Sequence, residues 1–297
     1  MIQDIGSCRF DIAFSDRNPG KDDYVLRFSG DGRILVGSEA DRLLFPKGNG
    51  EAKPGGAVYL FSLDETRFFL LLQDEENALP GFSFRSVRDL RGTCINADIL
   101  VVFTAYHLWR WYHDNHYCGR CAGRMKPGTG ERSLVCGSCR NIVYPRINPA
   151  VIVGVIKGDA LLITRYNRGY AHNALIAGFT EIGETLEQTV SREVMEEAGI
   201  RVKNIRYYKS QPWGMAQDVL MGFFCEADGN DKIRMDANEL KSAEWVRRED
   251  IELQPNNLSL TNEMMSLFKE GLEGTCTIRR DTISEESSGV TETGTSG

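Results

Sequence analysis

Two short cysteine pairs, "CGRC" at Cys118–Cys121 and "CGSC" at Cys136–Cys139, constrain this chain more than any other stretch of its sequence. Each C-x-x-C knuckle can aim two thiolates at one point. Fourteen residues separate the knuckles, close to the spacing at which two of them share one tetrahedral zinc ion. Four cysteine ligands close the coordination shell and leave no position for water, so a zinc held by Cys118, Cys121, Cys136 and Cys139 is structural rather than catalytic. The other four cysteines, Cys8, Cys94, Cys225 and Cys276, are scattered along the chain. That usage fits a reducing cytoplasmic compartment with one metal site better than a disulfide scaffold.

The chain on either side of the knuckles divides by pattern. Residues 1–95 alternate short apolar runs with Gly, Asp and Asn, and "GDG" and "LDET" read as hairpin turns, so a mostly β N-terminal domain is expected. Ile99, Val102, Phe103, Tyr106, Leu108, Trp109 and Trp111 recur at a roughly helical period and predict a connecting helix over 96–114. It leads into the zinc ribbon, 115–146. From Ala150, "AVIVGVI", a "KGD" turn and "ALLITRY" read as buried strands. Further on, "IRYYKSQPW" and "DVLMGFFCEA" are strand-like and "LTNEMMSLFKEGL" helical, which together define a domain over 147–273. Residues 274–297 are Ser/Thr/Gly/Glu-rich without an apolar period and are expected to be disordered. A net charge of -7 argues against a general nucleic-acid binder. The start lacks a basic segment followed by an apolar one, so no signal peptide is expected. The longest apolar run, "ADILVVFTAYHLWRWY", is broken by His107 and Arg110 and is too short and amphipathic to span a bilayer.

The segment "GFTEIGETLEQTVSREVMEEAGI", Gly178–Ile200, carries six glutamates and one arginine, Arg192. Most of it must be helix, where like charges at i,i+3 and i,i+4 cost a few tenths of a kcal/mol per pair, so the acids need a purpose. Glu193, Glu196 and Glu197 share an arc of about 100° on that helix. Carboxylates on one face can hold Mg²⁺, a hard cation that pairs protein oxygens with substrate phosphates and activates water. Gly178 and Gly183 belong to a loop that must turn tightly nearby, and Arg192 can tether Glu184 from that loop back to the helix.

The segment resembles the Nudix box, G-x5-E-x7-R-E-U-x-E-E-x-G-U with U aliphatic: Gly178, Glu184, Arg192, Glu193, Val194, Glu196, Glu197, Gly199 and Ile200 fill every defined position. The resemblance implies an α/β/α sandwich, here preceded by the zinc ribbon and a divergent β domain. It also implies an enzyme that hydrolyses nucleoside diphosphates linked to another moiety with Mg²⁺ or Mn²⁺. Glu193 and Glu197 would ligate the metal. Glu196 would be a ligand or the residue that orients and deprotonates water, and which carboxylate is the base stays open.

The zinc ribbon and "SQPW", Ser210–Trp213, are similar to the NADH pyrophosphatase subfamily, whose marker reads S-Q-P-W-P-F-P-x-S. Members cleave NADH or NAD⁺ to the mononucleotide and AMP, and some remove NAD caps from RNA. This resemblance implies that Ala177 lends a backbone carbonyl to the metal and that Glu239 is a further metal-binding glutamate. It implies that Phe179 stacks on a base or nicotinamide ring, a contact worth about 1–3 kcal/mol, and that Tyr144 and Arg88 contact substrate. The marker segment would, by that resemblance, supply Gln211, Pro212, Trp213, Gly214, Met215, Ala216, Gln217 and Asp218 to the substrate. By the same resemblance a homodimer is expected, with no membrane partner. Processing of NAD-capped RNA is the alternative, and it expects Arg120, Arg124, Lys126 and Arg132 to touch RNA. The chain departs from the marker at Gly214–Asp218, where "GMAQD" stands for P-F-P-x-S. Two stiffening prolines and a stacking phenylalanine are gone, and Asp218 brings an acid where the marker has a hydroxyl. Thr261 stands where the family commonly has alanine.

Overall fold

The structure, a computed structural model, describes residues 1–48, 56–167 and 172–274. Beyond Gly274, the tail expected to be disordered lies outside the described residues. The N-terminal domain is built from seven short strands: β1 (Phe10–Asp11), β2 (Tyr24–Leu26), β3 (Ile34–Glu39), β4 (Arg42–Leu44), β5 (Ala57–Leu63), β6 (Thr66–Leu71) and β7 (Ser83–Arg85). They form two small sheets, ordered β1-β5-β6-β2 and β4-β3-β7. "LDET" closes the β5–β6 hairpin, with Leu63 opposite Thr66. "GDG" turns between Ser29 and Arg33, whose backbone groups bond at 2.9 Å.

Helix α1 (Asn96–Asp114) buries most of its apolar stripe against these sheets. Trp109 stacks on Phe28 with ring centroids 5.1 Å apart. The carboxylate of Asp98, buried in the first turn, accepts from Arg42 Nε at 3.0 Å, from Arg42 Nη2 at 3.1 Å and from the Leu43 N–H at 2.8 Å. Strands β8 (Met125–Pro127), β9 (Leu134–Cys136) and β10 (Ile142–Val143) make an antiparallel sheet around the cysteines. Cys118, Met125, Leu134 and Cys136 share one apolar cluster with Trp111 and Tyr112 of α1. The zinc ribbon is thus packed on the N-terminal core.

The C-terminal half is a six-stranded mixed sheet between two helices. Its elements are β11 (Asn148–Lys157), β12 (Ala160–Tyr166), β13 (Ile176–Phe179), α2 (Leu186–Ala198), β14 (Val202–Trp213), β15 (Asp218–Ala227), β16 (Leu240–Arg247) and α3 (Leu260–Glu270). The strand order is β14-β15-β11-β12-β16, with β13 also paired to β11, and only β11–β15 is parallel. Strand alternation sorts β11 between the layers. Val151, Val153 and Val155 face Val190, Val194 and Ala198 of α2, whereas Ile152 faces Leu260, Met264 and Phe268 of α3. This is the α/β/α sandwich that the sequence resemblance implied. No helix among the described residues is long and apolar enough to cross a membrane.

Candidate active site

The site is set by how α2 starts and by what lies beneath it. Thr185 caps the helix reciprocally with Gln188: Gln188 N donates to Thr185 Oγ1 at 3.3 Å, and Thr185 N donates to Gln188 Oε1 at 2.8 Å. Such a capping side chain stabilises a helix end by about 1 kcal/mol. Gly199 ends the helix with φ 69°, a left-handed conformation that favours glycine.

Arg192 is the hub. Its Nε and Nη2 grip Glu184 at 2.7 and 2.9 Å, its Nη1 bonds Glu193 at 2.7 Å and Glu196 at 3.0 Å, and its Nη2 also bonds the Phe179 carbonyl at 2.9 Å. The tether from Glu184 to the helix is therefore present. The Arg192 guanidinium, with help from the Glu181 N–H and Thr189 Oγ1, holds the Glu184 carboxyl down to about 2. The guanidinium itself is held above its ordinary value, first by Glu184.

The three clustered glutamates do not share one environment. Glu197 is 2% exposed and Glu193 9%, while the side chain of Glu196 is 60% exposed on the solvent edge. Burial pushes the Glu197 carboxyl up to about 8, helped by the negative fields of Glu193 and Glu239, and burial raises Glu193 as well. Gly178 lies directly beneath Glu193: a Cβ there would come within 2.0 Å of its carboxyl carbon, so no side chain fits. Glu197 Oε2 accepts from the Tyr166 hydroxyl at 3.4 Å, and that hydroxyl accepts the Ala177 N–H at 3.1 Å. Glu197 Oε1 is buried with no hydrogen-bond partner. A buried carboxylate oxygen left without a donor, beside a second buried carboxylate and within the field of a third, is a donor set suited to a hard divalent cation. Glu239 is exposed in the turn before β16. Ala177 sits opposite Ile152 on β13.

Phe179, at the end of β13, is 51% exposed, and Tyr144 is exposed with its hydroxyl bonded to Glu131 at 3.0 Å. Arg88 is exposed on a 3₁₀ turn, Val87–Leu90. The marker segment is less open than its sequence suggests. Gln211 is fully buried, and Gln217 and Asp218 are buried as well. Trp213 is half-buried, edge-on to Phe103 at 5.2 Å with the Arg91 guanidinium 5.0 Å from its ring. Gly214 presses on the backbone of α1, where a Cβ would lie 2.0 Å from the Phe103 carbonyl oxygen. Proline, which the marker has at that place, carries a Cβ and would lift the turn off α1. Gln217 accepts from Arg146 at 2.8 Å. Pro212 and Ala216 are exposed and Met215 is half-buried.

Asp218 was expected as an added charge on a loop. It is instead buried at the start of β15 with Oδ1 unpartnered, and burial pushes its carboxyl up to about 6. Because that value is above the ordinary one, the unfolded chain releases this proton first as pH rises. The stability associated with the protonated form is present below about pH 4 and lost as pH rises through about 6. Asp218→Asn should therefore be more stable than the parent at pH 7, by up to about 3 kcal/mol, and nearly equal to it near pH 4. Urea denaturation at the two pH values checks this. A parent and variant that differ equally at both would place a donor on Oδ1.

The cysteine sulfurs are gathered tightly. All four lie within 4.8 Å of one another, with Cys118–Cys139 at 3.7 Å and Cys121–Cys136 at 3.5 Å. Four sulfurs at about 2.3 Å from a tetrahedral zinc stand about 3.8 Å apart. The cluster fits a structural zinc, and among the described residues no other group of His, Cys, Asp and Glu side chains closes up in this way.

Sequence reasoning missed Tyr166 and Gln3. Tyr166, 31 residues from Glu197, has no local signal, because "ALLITRY" reads only as a strand. Gln3, 208 residues from Gln211, bonds its side chain and lies in an unremarkable start.

Residues 146–267 match the NUDIX domain family, and residues 113–144 match the NADH pyrophosphatase zinc ribbon domain family. The NAD-capped RNA hydrolases NudC of Shigella flexneri and of Escherichia coli strain K12 / DH10B are each 44% identical to the chain over 151 residues, 50% of this chain and 58% of theirs. The chain thus aligns with under two thirds of the length of these relatives. A crystal structure of a NUDIX hydrolase from Nitrosomonas europaea is 23% identical, covers 53% of this chain and 90% of its own, and superposes with a TM-score of 0.44.

Proposed function

We infer, from a chain that carries an NADH pyrophosphatase zinc ribbon directly before a Nudix domain, that the protein is a divalent-metal-dependent diphosphatase. It hydrolyses the pyrophosphate bond of NADH or NAD⁺ to the nicotinamide mononucleotide and AMP. The observation that carries this reading is the pair of buried carboxylates, Glu193 and Glu197, with one oxygen lacking any partner, held under a complete Glu184–Arg192 tether.

A bound Mg²⁺ or Mn²⁺ supplies charge neutralisation for the diphosphate and an activated water. Glu193 and Glu197 would hold it, and Glu239 and the Ala177 carbonyl would complete the set. Gly178 lets the β13 backbone approach Glu193 without a side chain between them. Arg192 keeps the loop after β13 tied to α2 and, by bonding the Phe179 carbonyl, fixes the backbone from which the exposed Phe179 ring would stack on substrate. Glu196, the one member of the trio that reaches solvent, orients and deprotonates the attacking water.

The same bond occurs in NAD-capped RNA, and one feature of the ribbon favours that second reading. Tyr117 is 62% exposed with the Arg124 guanidinium 5.3 Å from its ring, a cation–aromatic pair suited to a stacked base. The test is incubation with Mg²⁺ or Mn²⁺ and NADH, NAD⁺, ADP-ribose, FAD, diadenosine polyphosphates and an NAD-capped RNA, with products read by mass. AMP and reduced nicotinamide mononucleotide, formed fastest from NADH, support the first reading. Fastest cleavage of capped RNA, with a steep fall as salt rises, supports the second. Turnover of none of them would overturn both.

A further inference from the structure

The first residues of the chain reach across the molecule to the marker segment. Ile2 belongs to the apolar cluster of the N-terminal domain and α1, whereas Met1 lies among Ile251, Leu260, Met264 and Phe268 on the α3 side of the large sheet. Next to them, Gln3 Nε2 donates to the Ser210 carbonyl at 2.9 Å, and Gln3 Oε1 accepts from Gln211 Nε2 at 3.2 Å. Gln211 passes the contact on. Its Nε2 also donates to the Leu258 carbonyl at 2.8 Å, and its Oε1 accepts from the N–H of Leu260, the first residue of α3, at 2.8 Å. The Ile2 N–H donates to the same Leu258 carbonyl at 3.2 Å. Asn96, at the start of α1, anchors the far side by donating to the Met1 and Asp4 carbonyls at 2.9 and 3.2 Å.

The middle of the segment is held from the same half of the molecule. Gly214 rests on the Phe103 carbonyl, and Trp213 sits between Phe103 and Arg91. Ser210–Asp218 is therefore held at its start and at its middle by groups that lie outside residues 146–267, while its far end is held by Arg146 and Asn148. Burial of Gln211 makes the grip chemically selective, since a fully buried amide must have both its donor and its acceptor met. Leu258 and Leu260 meet one donor and the acceptor of Gln211, and Gln3 adds a second acceptor for Gln211 Nε2 while donating to the Ser210 carbonyl, two roles that one amide fills at once.

We propose that Gln3 is a positioning residue for the substrate segment Ser210–Asp218, so that the N-terminal domain and α1 tune which dinucleotide the site accepts. This rests on the diphosphatase reading above. Gln3 bonds none of the box carboxylates, so its loss acts on substrate binding and not on the metal step.

Two variants test it. Gln3→Met keeps the length and apolar stem and removes both hydrogen bonds. Gln3→Glu keeps the acceptor for Gln211 and removes the donor to Ser210. Each net hydrogen bond of this kind corresponds to about a 2- to 13-fold effect. In Gln3→Met the KM for NADH should rise about fivefold with kcat within about twofold, the preference for NADH over the other dinucleotides should narrow, and Gln3→Glu should fall between. Amide hydrogen exchange of peptide 208–219 should quicken by a similar factor, while exchange in α2 stays as in the parent. Unchanged exchange in that peptide, or unchanged KM and substrate preference, overturns the proposal, as does an acceleration spread equally over α1 and α3. If the parent cleaves no dinucleotide, the diphosphatase reading fails, and the exchange comparison alone still decides whether Gln3 positions the segment.

Discussion

Glu197→Gln should lower kcat by roughly 10²–10⁴-fold, the range that removal of a general base or a charge-stabilising group costs, while leaving the metal-free protein at least as stable as the parent. The substitution is isosteric and neutral. In the parent, Glu197 is buried within the negative fields of Glu193 and Glu239, and one of its oxygens has no partner. That arrangement costs stability in the absence of a cation and gains from one. Steady-state kinetics with excess Mg²⁺ or Mn²⁺ reads the first half of the expectation. Thermal melting reads the second, because an ion that binds only the folded state raises the melting point by mass action. The parent should gain on metal addition and Glu197→Gln should not. A variant with parental kcat would falsify the catalytic assignment of the box, and a parent with no turnover to lose would indicate a module that binds nucleotide without hydrolysing it.

Cys136→Ser, or stripping of the metal with a strong chelator, should release one zinc ion per chain and lower the melting temperature by about 10 °C or more. Structural zinc contributes about 10–16 kcal/mol to the folding of small zinc modules, and in a domain of this size each kcal/mol moves the midpoint by about 2–4 °C. The effect should extend beyond the ribbon. Cys118, Met125, Leu134 and Cys136 belong to the cluster that contains Trp111, Tyr112 and the N-terminal strands, so loosening the knuckles opens the core next to α1. Zinc should restore the stripped parent and Mg²⁺ should not, which separates the structural ion from the catalytic one. Atomic emission and calorimetry measure both quantities. A Cys136→Ser protein that retains a full zinc ion and melts like the parent would show that the four thiols do not form one site.

Much of this could be read from the chain because its chemistry is locally encoded. A capped helix with carboxylates four residues apart presents Glu193 and Glu197 on one side whatever surrounds it, and two knuckles bring four sulfurs to one point by their own turns. The strand and helix patterns of 150–270 needed only periodicities of two and 3.6 to be placed on either face of a sheet. Asp218 could not be read in this way. An acid in a Gly- and Gln-containing turn reads as exposed, but Asp218 opens β15, paired with both Asn148 and Trp213, and is buried there, while Gly214 in the turn before it rests on the Phe103 carbonyl. The glycine itself, seen in sequence only as a lost proline, has its reason 111 positions away.

The sequence alone determined which carboxylates share one helix face, which four cysteines gather and where the main strands and helices fall, since each depends on residues that are neighbours along the chain. The tertiary structure decided which glutamates of the trio lose their water, that Tyr166 bonds Glu197, and that Gln3 and α1 hold the segment flanking the site. Burial and long-range hydrogen bonds arise where elements remote in sequence meet, and no spacing within one segment records which elements those are.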